Sequence, residues 1–141
     1  MVEFFDTSVL VAAAWRGHPG HKESIHLLSR ASKSSACCAA HTLAETYSIL
    51  TRMPIHPAIS PDQAILFFHD ARSRLSIVPL TETDYFECLQ SASENEIVGG
   101  QIYDRLILHA AFKCDATSIF TWDTKHFYRL APELADRIRT P

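Results

Sequence analysis

The sequence predicts an α/β fold, a three-layer α/β/α sandwich with a central, mostly parallel sheet of four or five strands. Short apolar runs alternate along the chain with segments long enough to form helices, which is the order of elements in α/β proteins. The runs are continuous rather than alternating with polar residues, as is typical of parallel strands covered by helices on both faces. We expect residues 1–141 to form a single domain, because this length suits one full core.

The first half of the chain contains two predicted strand–helix pairs. The run VEFF at residues 2–5 is of strand type, and the sequence then changes to the helix-forming residues SVLVAAAW. A Pro-Gly turn at residues 19–20 precedes a second helix with apolar residues at helical spacing. The run ACCAA at residues 36–40 is the second strand. It leads into the helix HTLAETYSILTRM, which the next residue, a proline, ends.

The middle of the chain contains the clearest predicted helix start. Ser60, Pro61 and Gln63 have the pattern of an N-cap, a proline at the first helical position and a capping partner. The helix that they begin should run to about residue 74. The apolar run LSIVPL at residues 75–80 is then the third strand.

The last part of the chain repeats the alternation of helices and strands. A helix is predicted from about residue 81 to 96, and two glycines separate it from a nearly all-apolar helix at residues 102–114. The run TSIFTW at residues 117–122 is the fourth strand, followed by a short helix that begins within DTKHFYRL. The segment RIRT at residues 137–140 is a candidate fifth strand at the edge of the sheet.

Composition and charge narrow the class of protein. Hydrophobic residues make up 47% and charged residues 21% of the chain, as in a folded globular protein. The formal net charge is −3, so we expect no bulk attraction to nucleic acid or to an anionic membrane. No apolar run approaches the length of a membrane span, and no basic residue precedes the first apolar stretch, so we expect a cytoplasmic protein with no membrane partner. The four cysteines lack CxxC spacing, which predicts buried thiols rather than a zinc site.

Four acidic residues lie where predicted strands give way to helices or in the early turns of helices: Asp6, Glu45, Asp104 and Asp123. Right-handed crossovers bring every such junction of a parallel sheet to the same edge. Carboxylates gathered at one edge repel one another, and a bound divalent cation is the usual reason for such a cluster. The pattern therefore predicts a site for Mg²⁺ or Mn²⁺ rather than zinc.

Each acid also has an ordinary structural interpretation. Asp6 and Asp123 are typical helix N-caps, and Thr42 with Glu45 matches a capping box. Asp104 differs, because its helix is apolar on almost every side. A buried carboxylate needs a cation or a donor as its partner, so Asp104 favours the functional hypothesis.

Four segments carry the acids in a specific order: FFDTSVLVAAA with Asp6, HTLAETYSILTR with Glu45, YDRLILHAA with Asp104 and TWDTKHF with Asp123. Over nearly its whole length the chain resembles the PIN-domain ribonucleases. In size and layout it resembles the VapC toxins of bacterial toxin–antitoxin pairs. The resemblance implies a PIN-like fold and a catalytic cluster in which these four acids bind Mg²⁺ or Mn²⁺.

The resemblance also implies an activity and partners. The expected reaction is metal-dependent hydrolysis of RNA phosphodiester bonds, and the expected partners are RNA, a small VapB-like antitoxin and a second copy of the chain in a homodimer. Ser8 and Thr121 match small polar positions of the first and last motifs. They would orient a carboxylate or a bound water, or else make ordinary turn hydrogen bonds. Thr124 stands where some relatives have a further acid, so a second tightly held cation is not implied.

Other roles remain open at the sequence level. His126 is a candidate for placing RNA or the scissile phosphate, and the alternative is a surface histidine. A non-catalytic module with the PIN scaffold would bind RNA or protein without cleaving RNA. A metal-dependent phosphatase with an aspartyl nucleophile would need a second Asp where this chain has Ser8. Five basic residues near the predicted edge are candidates for an RNA-binding rim: Arg16, Arg52, Arg105, Lys125 and Arg129.

Overall fold

The computed structural model describes all residues from Met1 to Pro141 and contains one five-stranded sheet. All strand pairs are parallel, and the strand order is β3-β2-β1-β4-β5. Strands β1 to β5 span Glu3–Phe5, Ala36–Ala39, Ser76–Val78, Ser118–Phe120 and Ile138–Arg139. The predicted parallel sheet is confirmed, including its C-terminal edge strand.

Seven α-helices cover the sheet. Helices α1 to α7 span Thr7–Ala14, His21–Ser29, Ala40–Arg52, Pro61–Arg74, Glu82–Glu94, Gln101–Lys113 and Thr124–Leu130, and a short 3₁₀ helix follows at Pro132–Leu134. Helices α2 and α3 each contact both α1 and α4, while α6 contacts both α5 and α7. None of these helices combines the length and the apolarity needed to cross a membrane.

Successive side chains of the strands point to opposite faces of the sheet and fill two separate cores. Phe4 and Cys37 pack with α6 and α7 in one core. Phe5 and Cys38 pack with α1 and α2 in the other. All four thiols are free and three are buried, as predicted, while the fourth, Cys114, is only partly buried. The sheet is therefore sandwiched between two helical layers, which confirms the three-layer α/β/α architecture.

Of the two capping boxes that the sequence suggests, one is present in the structure and the other is absent. Ser60 and Gln63 form the predicted reciprocal capping box at the start of α4. The capping box of Thr42 and Glu45, the structural alternative to a functional role, is absent because α3 already begins at Ala40 and has no side-chain cap. Both residues therefore lie inside the helix, and the Glu45 carboxylate is not used for capping.

The order of the strands reverses at β1. From β1 the chain adds β2 and then β3 on one side, and later adds β4 and β5 on the other. The Asp6 amide donates a hydrogen bond of 3.0 Å to the carbonyl of Phe120, which joins the ends of β1 and β4. Ligands of open parallel sheets bind at such a reversal, beyond the carboxyl ends of the strands. Asp6 and Asp123 lie at this point of the sheet.

Candidate active site

The structure brings all four predicted acids to one cleft of about 170 Å³. Asp6 follows β1, Glu45 lies in the second turn of α3, Asp104 lies in the first turn of α6, and Asp123 directly precedes α7. A larger hollow of about 390 Å³ lies beside the connection between α3 and α4, but no carboxylate lines it. The acidic cleft at the strand reversal is therefore the candidate site for chemistry.

Asp6 is the most buried of the four acids, with 4% of its surface exposed. It is the N-cap of α1, and its Oδ2 accepts hydrogen bonds from the Ser8 amide at 3.3 Å and the Ser8 hydroxyl at 2.8 Å. The Thr121 hydroxyl donates to the same oxygen at 2.9 Å. Because all three donors use Oδ2, Oδ1 remains available for another ligand. Asp6 thus caps a helix and lines the cleft at the same time.

The two hydroxyl groups also fix the turn between β4 and α7. The Ser8 hydroxyl accepts from the Trp122 amide at 2.9 Å, and the Thr121 hydroxyl accepts from the Asp123 amide at 3.1 Å. Each hydroxyl therefore donates to Asp6 and accepts from the backbone that leads to Asp123. This arrangement holds the first and last acidic motifs in a fixed relation.

Burial makes Asp6 an unusual carboxyl group. It raises the pKa of Asp6 from its ordinary value of 3.8 to about 6. Hydrogen bonds from Ser8 and Thr121 oppose this shift, while the negative charge of Asp104 adds to it. A cation in the cleft would offset both the cost of burying the charged Asp6 carboxylate and its repulsion by Asp104.

Asp104 is held by His126 of α7, which is in turn held by Arg129. His126 Nε2 lies 2.8 Å from Asp104 Oδ2, and Arg129 Nη2 lies 2.9 Å from His126 Nδ1. A guanidinium group can only donate hydrogen bonds, so Nδ1 accepts and the ring proton sits on Nε2. His126 therefore donates to Asp104, and Arg129 fixes the tautomer that makes this possible.

The other two acids each have one hydrogen-bond or ion-pair partner. Glu45 Oε2 lies 3.5 Å from His41 Nε2, one helical turn earlier on α3. Asp123 is exposed and caps α7 by accepting from the His126 amide at 3.4 Å. Asp6 is therefore fixed by three donors, whereas each of the other acids has one partner in the structure.

Comparison with known proteins decides the family. A family model described as the PIN domain matches residues 4–132. The chain belongs to the PIN domain family. It is also similar to the protein named Ribonuclease VapC40 of Mycobacterium tuberculosis, with 31% identity over 134 residues that cover 95% of this chain and 92% of the relative. Ribonuclease VapC27 of the same organism is 31% identical over 106 residues, covering 75% and 74% of the two chains.

Two solved structures have the same PIN-like fold. Mycobacterium tuberculosis VapC20, described as a Sarcin-Ricin loop cleaving toxin, matches with a TM-score of 0.72 and 16% identity over 90% of this chain and 94% of its own. The structure of VapBC2 from Rickettsia felis, bound to a DNA fragment from their promoter, matches with a TM-score of 0.68 and 17% identity over 100% and 99% of the chains. These matches confirm the predicted fold class.

A second group of acids in this PIN domain lies outside the cleft. Ligand atoms of Asp84, Glu87 and His109 all lie within 4.8 Å of one another, a tighter group than the cleft acids form. The Lys113 ammonium is hydrogen-bonded to Asp84, and this contact holds the pKa of the Asp84 carboxyl well below its usual range. The group already has its own cation, so we do not assign it a metal.

Sequence reasoning missed the positions of several side chains around the PIN-domain cleft. For His126 the sequence leaves open a group that places RNA or phosphate and a surface histidine, and the structure favours the first, because the ring lines the cleft and contacts Asp104. The contact with Asp104 itself is not predicted, and the position of His126 three residues after Asp123, in the first turn of α7, is the signal for it. Arg129 lies beside the cleft as expected of a rim residue. Arg105 does not, because its guanidinium binds the Leu130 carbonyl and the Ser91 hydroxyl.

Proposed function

We propose that this chain is a metal-dependent endoribonuclease and the toxin of a VapBC-type toxin–antitoxin pair. One observation carries the proposal: carboxylates from four separate segments of a PIN domain line one cleft at the strand reversal. Relatives of similar length are named ribonucleases, which supports the same activity here. Asp6, Glu45, Asp104 and Asp123 are the proposed catalytic residues.

The donor atoms of the cleft fit a hard divalent cation such as Mg²⁺ or Mn²⁺. They are carboxylate oxygens, without the thiolates or paired imidazoles that favour zinc or copper. The same four acids would hold the cation, and Oδ1 of Asp6 has no protein donor that competes with it. When bound, the cation supplies Lewis-acid stabilisation of the phosphoryl charge and makes water a stronger nucleophile near neutral pH.

The protein offers no activated side-chain nucleophile in the cleft. The hydroxyl groups of Ser8 and Thr121 are both committed to Asp6 and to backbone amides. The imidazole of His126 is engaged with Asp104 rather than with a hydroxyl or thiol. Water is therefore the attacking group, and the proposed reaction is hydrolysis of the phosphodiester without a covalent enzyme intermediate.

His126 acts as a positioning residue for Asp104 in this proposal. We expect His126→Ala to lower the rate of RNA cleavage by about 10- to 100-fold, the usual effect of losing a partner that orients a ligand. His69→Ala is the matched control, because His69 is exposed on α4. Initial rates at saturating Mg²⁺, with circular dichroism to check folding, test the prediction. Equal rates in the two variants would show that the contact with Asp104 has no role in cleavage.

We also propose that the chain pairs with a VapB-like antitoxin and forms a homodimer. The similarity to VapBC2 supports the antitoxin, since that structure is of a toxin–antitoxin pair. Basic side chains in the tail of the antitoxin would neutralise the acidic cleft and so block it. Exposed apolar side chains such as Leu66 and Phe86 are available for contacts between proteins. Because one sheet uses strands from both ends of the chain, we propose that residues 1–141 act as a single domain.

The function is tested by incubating the purified chain with total cellular RNA and mapping the cleaved ends. We expect discrete cleavage products in Mg²⁺ or Mn²⁺ and none after EDTA is added, because an acidic cleft repels RNA without its cation. RNA binding without cleavage in any divalent cation would favour the non-catalytic module instead. Hydrolysis of a phosphomonoester in place of RNA would favour the phosphatase.

A further inference from the structure

A stacked pair of aromatic rings flanks the acidic cleft. His41 of α3 and Tyr103 of α6 have ring centroids 5.4 Å apart and planes inclined by only 8°. This is offset parallel stacking between two elements that are far apart in sequence. His41 covers one face of the Tyr103 ring, yet 51% of Tyr103 remains exposed. The opposite face of the ring is therefore open to solvent.

The pair sits beside two of the cleft acids. Tyr103 directly precedes Asp104, and His41 Nε2 contacts Glu45 Oε2 at 3.5 Å. Other aromatic side chains are more exposed, such as Phe86 and Phe112, but neither adjoins a residue of the cleft. Tyr103 combines an open ring face with a place beside the proposed catalytic carboxylates.

The charge of the protein bears on how this surface would contribute to RNA binding. The net charge is −3, and Arg105 is tied to α5 and to the end of α7 instead of lining the cleft. The net charge therefore gives no bulk attraction to phosphates, and a contact with the bases would add to the affinity for RNA. Stacking of a base on an aromatic ring supplies such affinity, and it requires a base that is not already paired.

We propose that the open face of Tyr103, backed by His41, is a binding platform for an unpaired nucleobase next to the scissile phosphate. This inference rests on the proposed ribonuclease function. It predicts that the protein prefers single-stranded or looped RNA over duplex RNA. It also predicts little discrimination among bases at this position, because every base has a face that can stack.

The test uses short single-stranded RNA in which 2-aminopurine replaces one base at successive positions. Fluorescence of 2-aminopurine is quenched when it stacks on an aromatic ring. The measurements are made in Mg²⁺ on the Asp6→Asn background, in which the RNA stays uncleaved. We expect quenching at one position, and we expect Tyr103→Ala to remove it and to weaken RNA binding by about 5- to 150-fold. Because stacking is not electrostatic, the slope of log Kd against log salt should stay unchanged.

Three controls separate the possible outcomes. Tyr103→Phe keeps the ring and should bind RNA as tightly as the parent, and circular dichroism of Tyr103→Ala checks that any loss of binding is not misfolding. Phe112→Ala removes an exposed ring of the same helix away from the cleft and should have no effect. If the wild-type chain cleaves RNA while Tyr103→Ala binds and quenches like Phe112→Ala, the platform is refuted and the nuclease stands. If the wild-type chain neither binds nor cleaves RNA, the proposed function itself fails.

Discussion

Asp6→Asn is expected to abolish RNA cleavage while making the metal-free protein more stable. Asn keeps the size of the side chain and can still accept hydrogen bonds from Ser8 and Thr121 through its carbonyl oxygen. It removes the negative charge that a cation would require. Loss of a residue that only orients a ligand costs about 10- to 100-fold, so loss of a ligand should cost at least about 100-fold.

The gain in stability should depend on pH. The pKa of Asp6 is about 6 in the folded protein and 3.8 ordinarily, so the folded state binds this proton more tightly. The contribution of Asp6 to the free energy of unfolding of the metal-free wild type should therefore fall as pH rises from about 4 to about 6 and stay level above that. The side chain in Asp6→Asn does not titrate. The free energy of unfolding of this variant should therefore exceed that of the wild type by up to about 3 kcal/mol at pH 7 and by little at pH 4.

Urea unfolding in EDTA at pH 4 and pH 7 measures this difference. Asp70→Asn is the matched control, because Asp70 is exposed on α4 and pairs only with Arg74 one turn away. That change should alter the free energy of unfolding by less than about 1 kcal/mol at either pH. A variant Asp6→Asn that cleaves RNA at the wild-type rate would contradict the assigned role, and one that is destabilised at pH 7 would contradict the account of its burial.

Combining Asp6→Asn with Asp104→Asn is expected to cost no more activity than either change alone. The negative charge of Asp104 raises the pKa of Asp6, so the two carboxylates share one electrostatic environment. If both carboxylates hold the same cation, removing either one already disables the site. Removing the second carboxylate then causes little further loss of activity. Cleavage rates of the two single variants and the double variant, measured in Mg²⁺, test this expectation.

Asp6→Asn combined with His69→Ala is the reference pair, because His69 lies on the exposed side of α4. Because His69→Ala alone should have no effect, this pair should lose only what Asp6→Asn loses, as expected of independent sites. If the losses of Asp6→Asn and Asp104→Asn multiply, the two acids do not act as a unit.

Much of this fold is predictable because buried parallel strands have a recognisable sequence pattern, the short continuous apolar run. Runs such as VEFF and ACCAA are apolar on both sides, and only a sheet covered by two helical layers buries both sides. The alternation of strands and helices then places Asp6 and Asp123 at the same edge of the sheet, because the crossovers between parallel strands are all right-handed. Local chemistry was equally informative at Ser60, where the cap, the proline and the partner all lie within four residues.

Other features of the site depend on contacts that a single sequence does not display. Thr42 and Glu45 have the spacing of a capping box, but hydrogen bonding to the backbone begins α3 earlier and leaves the glutamate for the cleft. The contact between His126 and Asp104 joins residues 22 positions apart, and it exists only because α6 and α7 pack together. The stacking of His41 on Tyr103 likewise arises from tertiary packing.

Titration of the metal-free protein with Mn²⁺ tests most directly whether the cleft is a cation site. Free Mn²⁺ gives an electron paramagnetic resonance signal that weakens on binding, so the signal reports occupancy without any RNA. At pH 7.5 we expect saturable binding to the wild type and to Asp70→Asn, with loss of at least about 10-fold in affinity in Asp6→Asn and Asp104→Asn. Equal Mn²⁺ affinity in all four proteins would show that these carboxylates do not form the metal site, and the proposed mechanism would fall with it.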